Sequence, residues 1–368
     1  MKKHSQFLKK RSQFFEKGSQ FFYLLCGFWK SITYRGEFSS FWKLFKIPYC
    51  LRLSTRKMLH LYPKKKIEMY HNPVLLKRSV DELVTDPDGV YVDCTFGGGG
   101  HSREILGRLS TKGRLFSFDQ DLDALNNAID DERFTLINQN FRFLENSLLM
   151  YGVREVSGVL ADLGVSSHQF DEAERGFSTR SDAPLDMRMN VLQGLDARAV
   201  INEYEEEKLA DIFYYYGELR EARKLAREVV HQRKTKPIHS TKDLKELFSF
   251  MPPHKQNKFF AQVFQAIRIE VNEELEALKE MLVQAHRVLK PEGRLVVISY
   301  HSLEDRLVKR FLKNGKFEGE PERDIYGNYQ KAFELLQSKA IVPTDEEIEQ
   351  NSRARSAKMR IGIKVGAV

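Results

Sequence analysis

Between residues 87 and 162 the chain alternates short apolar runs with segments whose apolar residues recur every three or four positions. Gly89 to Cys94 is a β-branched run opened by Pro87-Asp88-Gly89, and it predicts a strand ending at Asp93. Thr95 to Ser102 follows as a loop. Ser102 is the expected N-cap of a helix through Leu109, with Ile105, Leu106 and Leu109 facing inward. Arg114 to Phe118 predicts a second strand closed by Asp119, and residues 121–130 a helix. Phe134 to Asn138 predicts a third strand, residues 142–150 another helix, and Gly158 to Ala161 a fourth strand closed by Asp162. Strands alternating with helices predict an α/β fold on a doubly wound, Rossmann-like parallel sheet.

About 130 residues separate the fourth strand from the next one, Leu295 to Ser299. A crossover needs only about a dozen, so the excess predicts an inserted helical domain. Its helical patterns cover Glu206 to Tyr215, Leu219 to Gln232 and Thr241 to Phe250, and Pro252-Pro253 breaks the chain before Phe259 to Ile269. Asn272 is then the expected N-cap of a long helix with Leu275, Leu278, Leu282, Ala285 and Leu289 on one face. Pro291-Glu292-Gly293 is expected to turn that helix into the fifth strand, Arg306 to Leu312 to form a helix, and Met359 to Val365 to form an antiparallel edge strand. The resulting division is an extension at 1–68, the first part of the sheet domain at 69–165, the insert at 166–270 and the second part of the sheet domain at 271–368.

Charge changes this picture at the amino end. The 368 residues carry a net +8, but residues 1–66 hold 16 Lys/Arg against two acids, which leaves the remainder at −6. This basic stretch also holds both tryptophans and nine of the 26 phenylalanines. A basic, aromatic-rich arm suits an anionic membrane or single-stranded RNA. The alternative is that Met69 is the true start and the upstream residues have no role. No run of about 18 apolar residues occurs, so no ordinary transmembrane helix and no firm membrane partner are expected. Three cysteines without a CxxC suit a reducing cytoplasm better than a disulfide framework or a zinc knuckle. His71, His101 and His301 show neither an H-x-x-x-H spacing nor neighbouring acids at ligand spacing, so no metal is expected.

The candidate chemistry lies at the strand ends, where ligands of doubly wound sheets bind. Gly97 to Gly100 let a ligand approach bare backbone, and Asp119, about 20 residues on, is placed to hold a ribose diol. A dinucleotide needs G-x-G-x-x-G, but Ser102 stands where the third glycine belongs. S-adenosylmethionine has no pyrophosphate and needs only the loop and the strand-end acids, so Asp93, Asp119 and Asp162 favour the methyl donor.

Longer strings are more specific. Asp162-Leu163-Gly164-Val165-Ser166-Ser167-His168-Gln169, Glu174-Arg175-Gly176-Phe177-Ser178 and Pro184-Leu185-Asp186-Met187-Arg188-Met189 closely resemble the bacterial 16S ribosomal RNA cytosine-N4 methyltransferases, the RsmH or MraW family. Tyr70-His71-x-Pro73, Phe264-Gln265-Ala266-Ile267-Arg268, Ser299-Tyr300-His301-Ser302-Leu303-Glu304-Asp305-Arg306 and Arg353-Ala354-Arg355-Ser356-Ala357-Lys358 carry the same resemblance. It runs from about residue 70 to 364, in order. It departs at Tyr300, where phenylalanine is usual, at Leu219, at Ser352 and at Thr179-Arg180-Ser181.

The resemblance implies a class I methyltransferase sheet, S-adenosylmethionine as cofactor, and contacts to it at Gly99, Gly100, His101, Asp119, Phe141, Asp162 and Gln169. It implies a cytosine in the decoding region of 16S ribosomal RNA, naked or in the small subunit, as substrate, and the insert, which carries basic groups, is the expected recognition domain. Arg188, Ser299 and His301 are the candidate substrate contacts, and Asp162 is the candidate proton acceptor. No Asp/Asn-Pro-Pro-Tyr follows the fourth strand, unlike many amino-methyltransferases of DNA. Basic groups occur at Arg220, Arg223, Lys224 and Arg227, at Arg306, Lys309 and Arg310, and at Arg353, Arg355 and Lys358, and RNA phosphates are their expected partners.

Overall fold

Strand-forming runs in this chain are apolar at nearly every position, and such strands need a cover on both faces of their sheet. The computed structural model describes residues 73–320 and 331–366, so the extension at 1–68, the Met69 start and the Tyr70-His71 motif lie outside the described residues. The elements in chain order are α1 (Leu76–Leu83), β1 (Val90–Asp93), α2 (Gly100–Arg108), β2 (Arg114–Phe118), β3 (Phe134–Ile137), α3 (Leu144–Met150) and β4 (Val156–Asp162). The helices α4 (Ser167–Asp171), α5 (Ala197–Glu203), α6 (Glu206–Tyr215), α7 (Ala222–Thr235), α8 (Thr241–Leu247) and α9 (Pro253–Asn272) follow. The chain then returns through α10 (Glu274–Val288), β5 (Leu289–Ser299), α11 (Ser302–Asn314), β6 (Phe333–Leu335), α12 (Asp345–Gln350) and β7 (Lys358–Lys364).

The strand order is β3-β2-β1-β4-β5-β7-β6; β1 to β5 pair in parallel, and β7 runs antiparallel to both its neighbours. Successive side chains alternate between the two faces. Val92, Phe116, Val159, Leu295 and Val297 pack with α3 and α10 through Leu144, Leu148, Leu278, Met281 and Leu282. Tyr91, Leu115, Leu160, Val296 and Ile298 pack on the opposite face with Val80 and Leu83 of α1 and Ile105 and Leu106 of α2. This is the expected α/β fold, a doubly wound, Rossmann-like sheet with an inserted helical domain. The insert has its own apolar cluster, in which Val200, Ile201, Leu209, Phe213, Leu225, Val229, Leu244, Val263 and Ile267 from α5 to α9 meet.

Several expected boundaries are corrected. Residues 121–130 form a short 3₁₀ helix, Leu122–Asn127, capped when the Asp121 side chain accepts from the Asp123 N–H. Helix α2 begins at Gly100, because Gly99 takes a left-handed backbone (φ 76°) and serves as N-cap; Ser102 lies inside the first turn. Pro253 starts α9 instead of breaking the chain ahead of Phe259, since an N–H is not needed in a helix's first turn. Asn272 is the last residue of α9 and not an N-cap: Glu273 (φ 49°) forms the corner to α10. Leu289 belongs to β5, and Glu292 (φ 65°) marks a bulge where the β4 register shifts between Val156 and Gly158. Strand β7 is interior, because the three-residue β6 covers its outer side.

Candidate active site

The order reverses between β1 and β4, the switch point beyond whose carboxyl ends doubly wound sheets form their ligand crevice. Asp93, at the end of β1, is fully buried, accepts from Ser102 Oγ at 2.6 Å and from the Thr95 N–H at 3.0 Å. Ser102 is thus a tie between β1 and α2. The glycine loop crosses from there to α2. A Cβ at Gly99 would sit 2.9 Å from the Phe96 ring, and one at Gly100 would collide with the Pro73 ring, so both must lack side chains.

Asp119 closes β2 and takes two backbone N–H groups, Gly97 on Oδ2 at 2.8 Å and Asp121 on Oδ1 at 2.8 Å. Burial nevertheless pushes its carboxyl up to about 6, with the Asp121 and Asp93 charges adding to the rise. Asp162 ends β4. Its N–H donates to Thr95 Oγ1 at 2.7 Å, Tyr300 O–H donates to its Oδ1 at 2.8 Å, and its Oδ2 lies 3.8 Å from His101 Nδ1. Burial pushes Asp162 up to about 6 as well, against the lowering effect of His101 and Tyr300. His101 is buried, with Nε2 3.2 Å from the Val74 carbonyl.

Three carboxylates at adjacent strand ends therefore sense one another inside the protein, facing a strip of bare main chain. Such a pocket favours a ligand with a net positive charge, a primary amine and a vicinal diol. S-adenosylmethionine has those groups, and the residues present fit it. A depression of about 500 Å³ lined by Lys112, Gly113, Arg114, Asp131 and Arg133 lies at the amino ends of β2 and β3, the wrong end of the sheet for a ligand.

The remaining expected contacts are placed unequally. Phe141 is half-buried in the turn before α3, and its neighbour Asn140 donates to Gln120 Oε1 at 2.9 Å, so it stands at the Asp119 rim. Gln169 is buried; its Nε2 donates to Asp121 Oδ2 at 2.7 Å while its Oε1 accepts from the Ser166 N–H. Its amide thus joins the start of α4 to Asp121, two residues beyond Asp119. Arg188 grips Asp186 with two N–H groups and the Val191 and Gln193 carbonyls with a third, which makes it a clasp for its own loop. Ser299 Oγ donates to the Lys358 carbonyl at 3.2 Å, across to β7. His301 caps α11, with Nδ1 accepting from the Glu304 N–H.

Near His301 the structure forms a grouping that sequence spacing does not show. Ligand-type atoms of Glu274, His301 and Glu304 come within 4.8 Å of one another. Arg268 already holds both oxygens of Glu274 at 2.8 and 2.9 Å. His301 Nδ1 accepts from the Glu304 N–H, and its Nε2 lies buried 3.1 Å from Glu304 Oε1 without a hydrogen-bond partner among the described residues. The Arg268–Glu274 pair makes this cluster an ionic tie between α9 and α10.

Sequence reasoning missed Thr95, Asp121, Arg175 and Tyr300. Arg175 reaches Asp121 at 3.0 Å, Asp123 at 3.3 Å and the Arg188 carbonyl at 2.8 Å, and so fastens the insert to the pocket. The alternating acids Asp119, Asp121 and Asp123 were the available signal. Among the basic groups, Arg306 pairs with Glu218, Arg353 with Asp171, and Lys358 and Arg360 with Asp305, whereas Arg220, Arg223 and Lys224 are exposed.

The ribosomal RNA small subunit methyltransferase H of Flavobacterium johnsoniae is 61% identical over 297 residues, covering 80% of this chain and 98% of that protein. The proteins of the same name from Christiangramia forsetii and Parabacteroides distasonis are 60% and 57% identical, over 80% and 82% of this chain and 98% and 100% of their own lengths. The pattern described as the MraW methylase family matches residues 68–365, and with these relatives it shows that the chain belongs to the MraW methylase family.

Proposed function

We propose that this protein methylates small-subunit ribosomal RNA, and that its target is the exocyclic N4 of a cytosine in the decoding region of 16S RNA. The observation that carries this reading is the grouping at the strand ends, where Asp119 holds the Gly97 N–H of the glycine loop and Asp162 lies beside His101, the residue that follows the crowded Gly99 and Gly100. The name of the relatives supports the RNA substrate, and the family resemblance of the Asp162–Gln169 and Ser299–Arg306 strings supports cytosine N4.

S-adenosylmethionine, bound as the second substrate, supplies a methyl group on a sulfonium, which is already activated. The protein therefore has mainly to position the two reactants. Asp119 would hold the ribose diol, the bare backbone at Gly99 and Gly100 would admit the amino-acid part, and Phe141 would pack on the adenine. The target base must be unstacked to enter. Asp162 accepts the proton that the amine loses. The helical insert at 166–270 grips the RNA, with exposed Arg220, Arg223 and Lys224 as phosphate contacts.

The test uses purified protein, tritiated donor and small subunits from cells that lack the protein. Label should enter 16S RNA with the wild-type chain and not with Asp119→Ala. RNA binding without transfer would mark the protein as a non-catalytic assembly factor and overturn the reading.

A further inference from the structure

We propose that Tyr300 is a positioning residue for methyl transfer: its hydroxyl fixes the Asp162 carboxylate so that Oδ2 alone is left to take the proton from the substrate amine. The inference rests on the function proposed above and adds to it a residue and an atom; because the family usually carries phenylalanine at this position, the tie is a device of this chain and not of the family's common machinery.

The strands set the geometry. Asp162 is registered opposite Ile298 on the parallel pair β4–β5, and Tyr300 lies two residues further on, so it emerges on the same face of the sheet as Ile298. Its half-buried ring packs against the apolar cluster that contains Ile298, Val296 and Met359. Its backbone N–H is held by Glu304 Oε2 at 2.9 Å. At the other end, the Asp162 N–H is tied to Thr95 Oγ1 at 2.7 Å. With both backbones pinned, the 2.8 Å hydrogen bond from Tyr300 O–H to Oδ1 selects one rotamer of the carboxylate. Oδ2 then faces His101 Nδ1 at 3.8 Å, beyond hydrogen-bond distance. The His101 ring cannot swing closer while its Nε2 stays 3.2 Å from the Val74 carbonyl.

In the step this serves, the cytosine N4 lone pair forms the new N–C bond as the S–C bond breaks. Sulfur keeps the bonding pair and becomes a neutral thioether. The proton leaves N4 for Asp162 Oδ2 and passes to solvent. The groups facing Asp162 are His101 from α2, Tyr300 beyond β5, Asp93 at the end of β1 and Glu304 in α11. His101 and Tyr300 favour the ionised carboxylate, while Asp93 and Glu304 oppose it. Loss of the hydroxyl therefore shifts that balance towards the protonated form, which cannot accept.

The experiment compares wild type with Tyr300→Phe in methyl transfer to unmodified small subunits, at saturating donor, across pH 5.5 to 8.5. The variant should lose about tenfold in kcat and move the acid limb of the profile up by about one pH unit, the size expected for one hydrogen bond to a charged group. Donor KM should stay within about twofold. A difluorotyrosine at position 300, which keeps the ring's packing and donates more strongly, should move the limb the other way. An unchanged kcat and acid limb in both variants would reduce Tyr300 to packing. A raised donor KM at unchanged kcat would mean that Asp162 serves the donor alone. Either result overturns the proposal, whereas failure of the wild-type chain to label 16S RNA would instead overturn the function on which it rests.

Discussion

Asp162→Asn is expected to stabilise the ligand-free protein at neutral pH while it impairs catalysis. Burial raises the Asp162 carboxyl from its ordinary 3.8 to about 6. The folded state therefore binds a proton more tightly than the unfolded chain does, and stability falls as pH rises between those two values. Above about pH 6 the full cost is present; at 1.36 kcal/mol per pH unit it is about 3 kcal/mol at pH 7.5 and roughly half of that at pH 5. Asparagine removes this cost and can still accept from Tyr300 O–H, while its amide hydrogens face His101 Nδ1. Any purely local effect of the amide is the same at both pH values and cancels in their comparison. The stability of the variant relative to wild type should thus be greater at pH 7.5 than at pH 5, by about 1.5 kcal/mol. Urea unfolding of both proteins at the two pH values, without donor, measures this directly. An offset that is equal at both pH values, or larger at pH 5, would refute the claim that Asp162 is held ionised against its surroundings.

Three further outcomes follow from the same structure. Gly100→Ala drives a methyl into the Pro73 ring and should weaken donor binding at least tenfold in calorimetry; unchanged affinity would show that the loop gives way. Leu282→Ala leaves a void between α10 and the sheet and should cost about 2–5 kcal/mol in chemical denaturation, a smaller value indicating a loosely packed face. Arg223→Gln with Lys224→Gln should flatten the dependence of log affinity on log salt for small-subunit RNA by about 0.7–0.9 for each phosphate no longer neutralised, and an unaltered slope would remove α7 from the RNA footprint.

What the sequence makes legible is local. Tyr91-Val92-Asp93, Leu115 to Asp119 and Val159 to Asp162 each announce a strand and its end, because a buried apolar run gives way to an acid where the backbone leaves the sheet. The glycine loop is legible for the same reason, since consecutive glycines are costly unless the backbone needs the room. Long-range pairings are not legible. Tyr300 and Asp162 are 138 residues apart, and Asn272 acts through Met187 and Met189, more than 80 residues away, so no local pattern distinguishes it from an N-cap. Arg188 reads in the sequence as a candidate substrate contact, while in the structure its own loop supplies a carboxylate and carbonyls that it donates to. The interior position of β7 depends on a three-residue strand too short to leave a pattern.

The central claim is that this crevice brings a methyl donor to a cytosine of the small-subunit RNA. Mass spectrometry of nucleosides from 16S RNA, isolated from cells lacking the protein and then treated with purified protein and donor, tests it most directly. N4-methylated cytidine should be missing before treatment and restored by the wild-type chain but not by Asp119→Ala. A nucleoside profile that is the same with and without the protein would contradict the account.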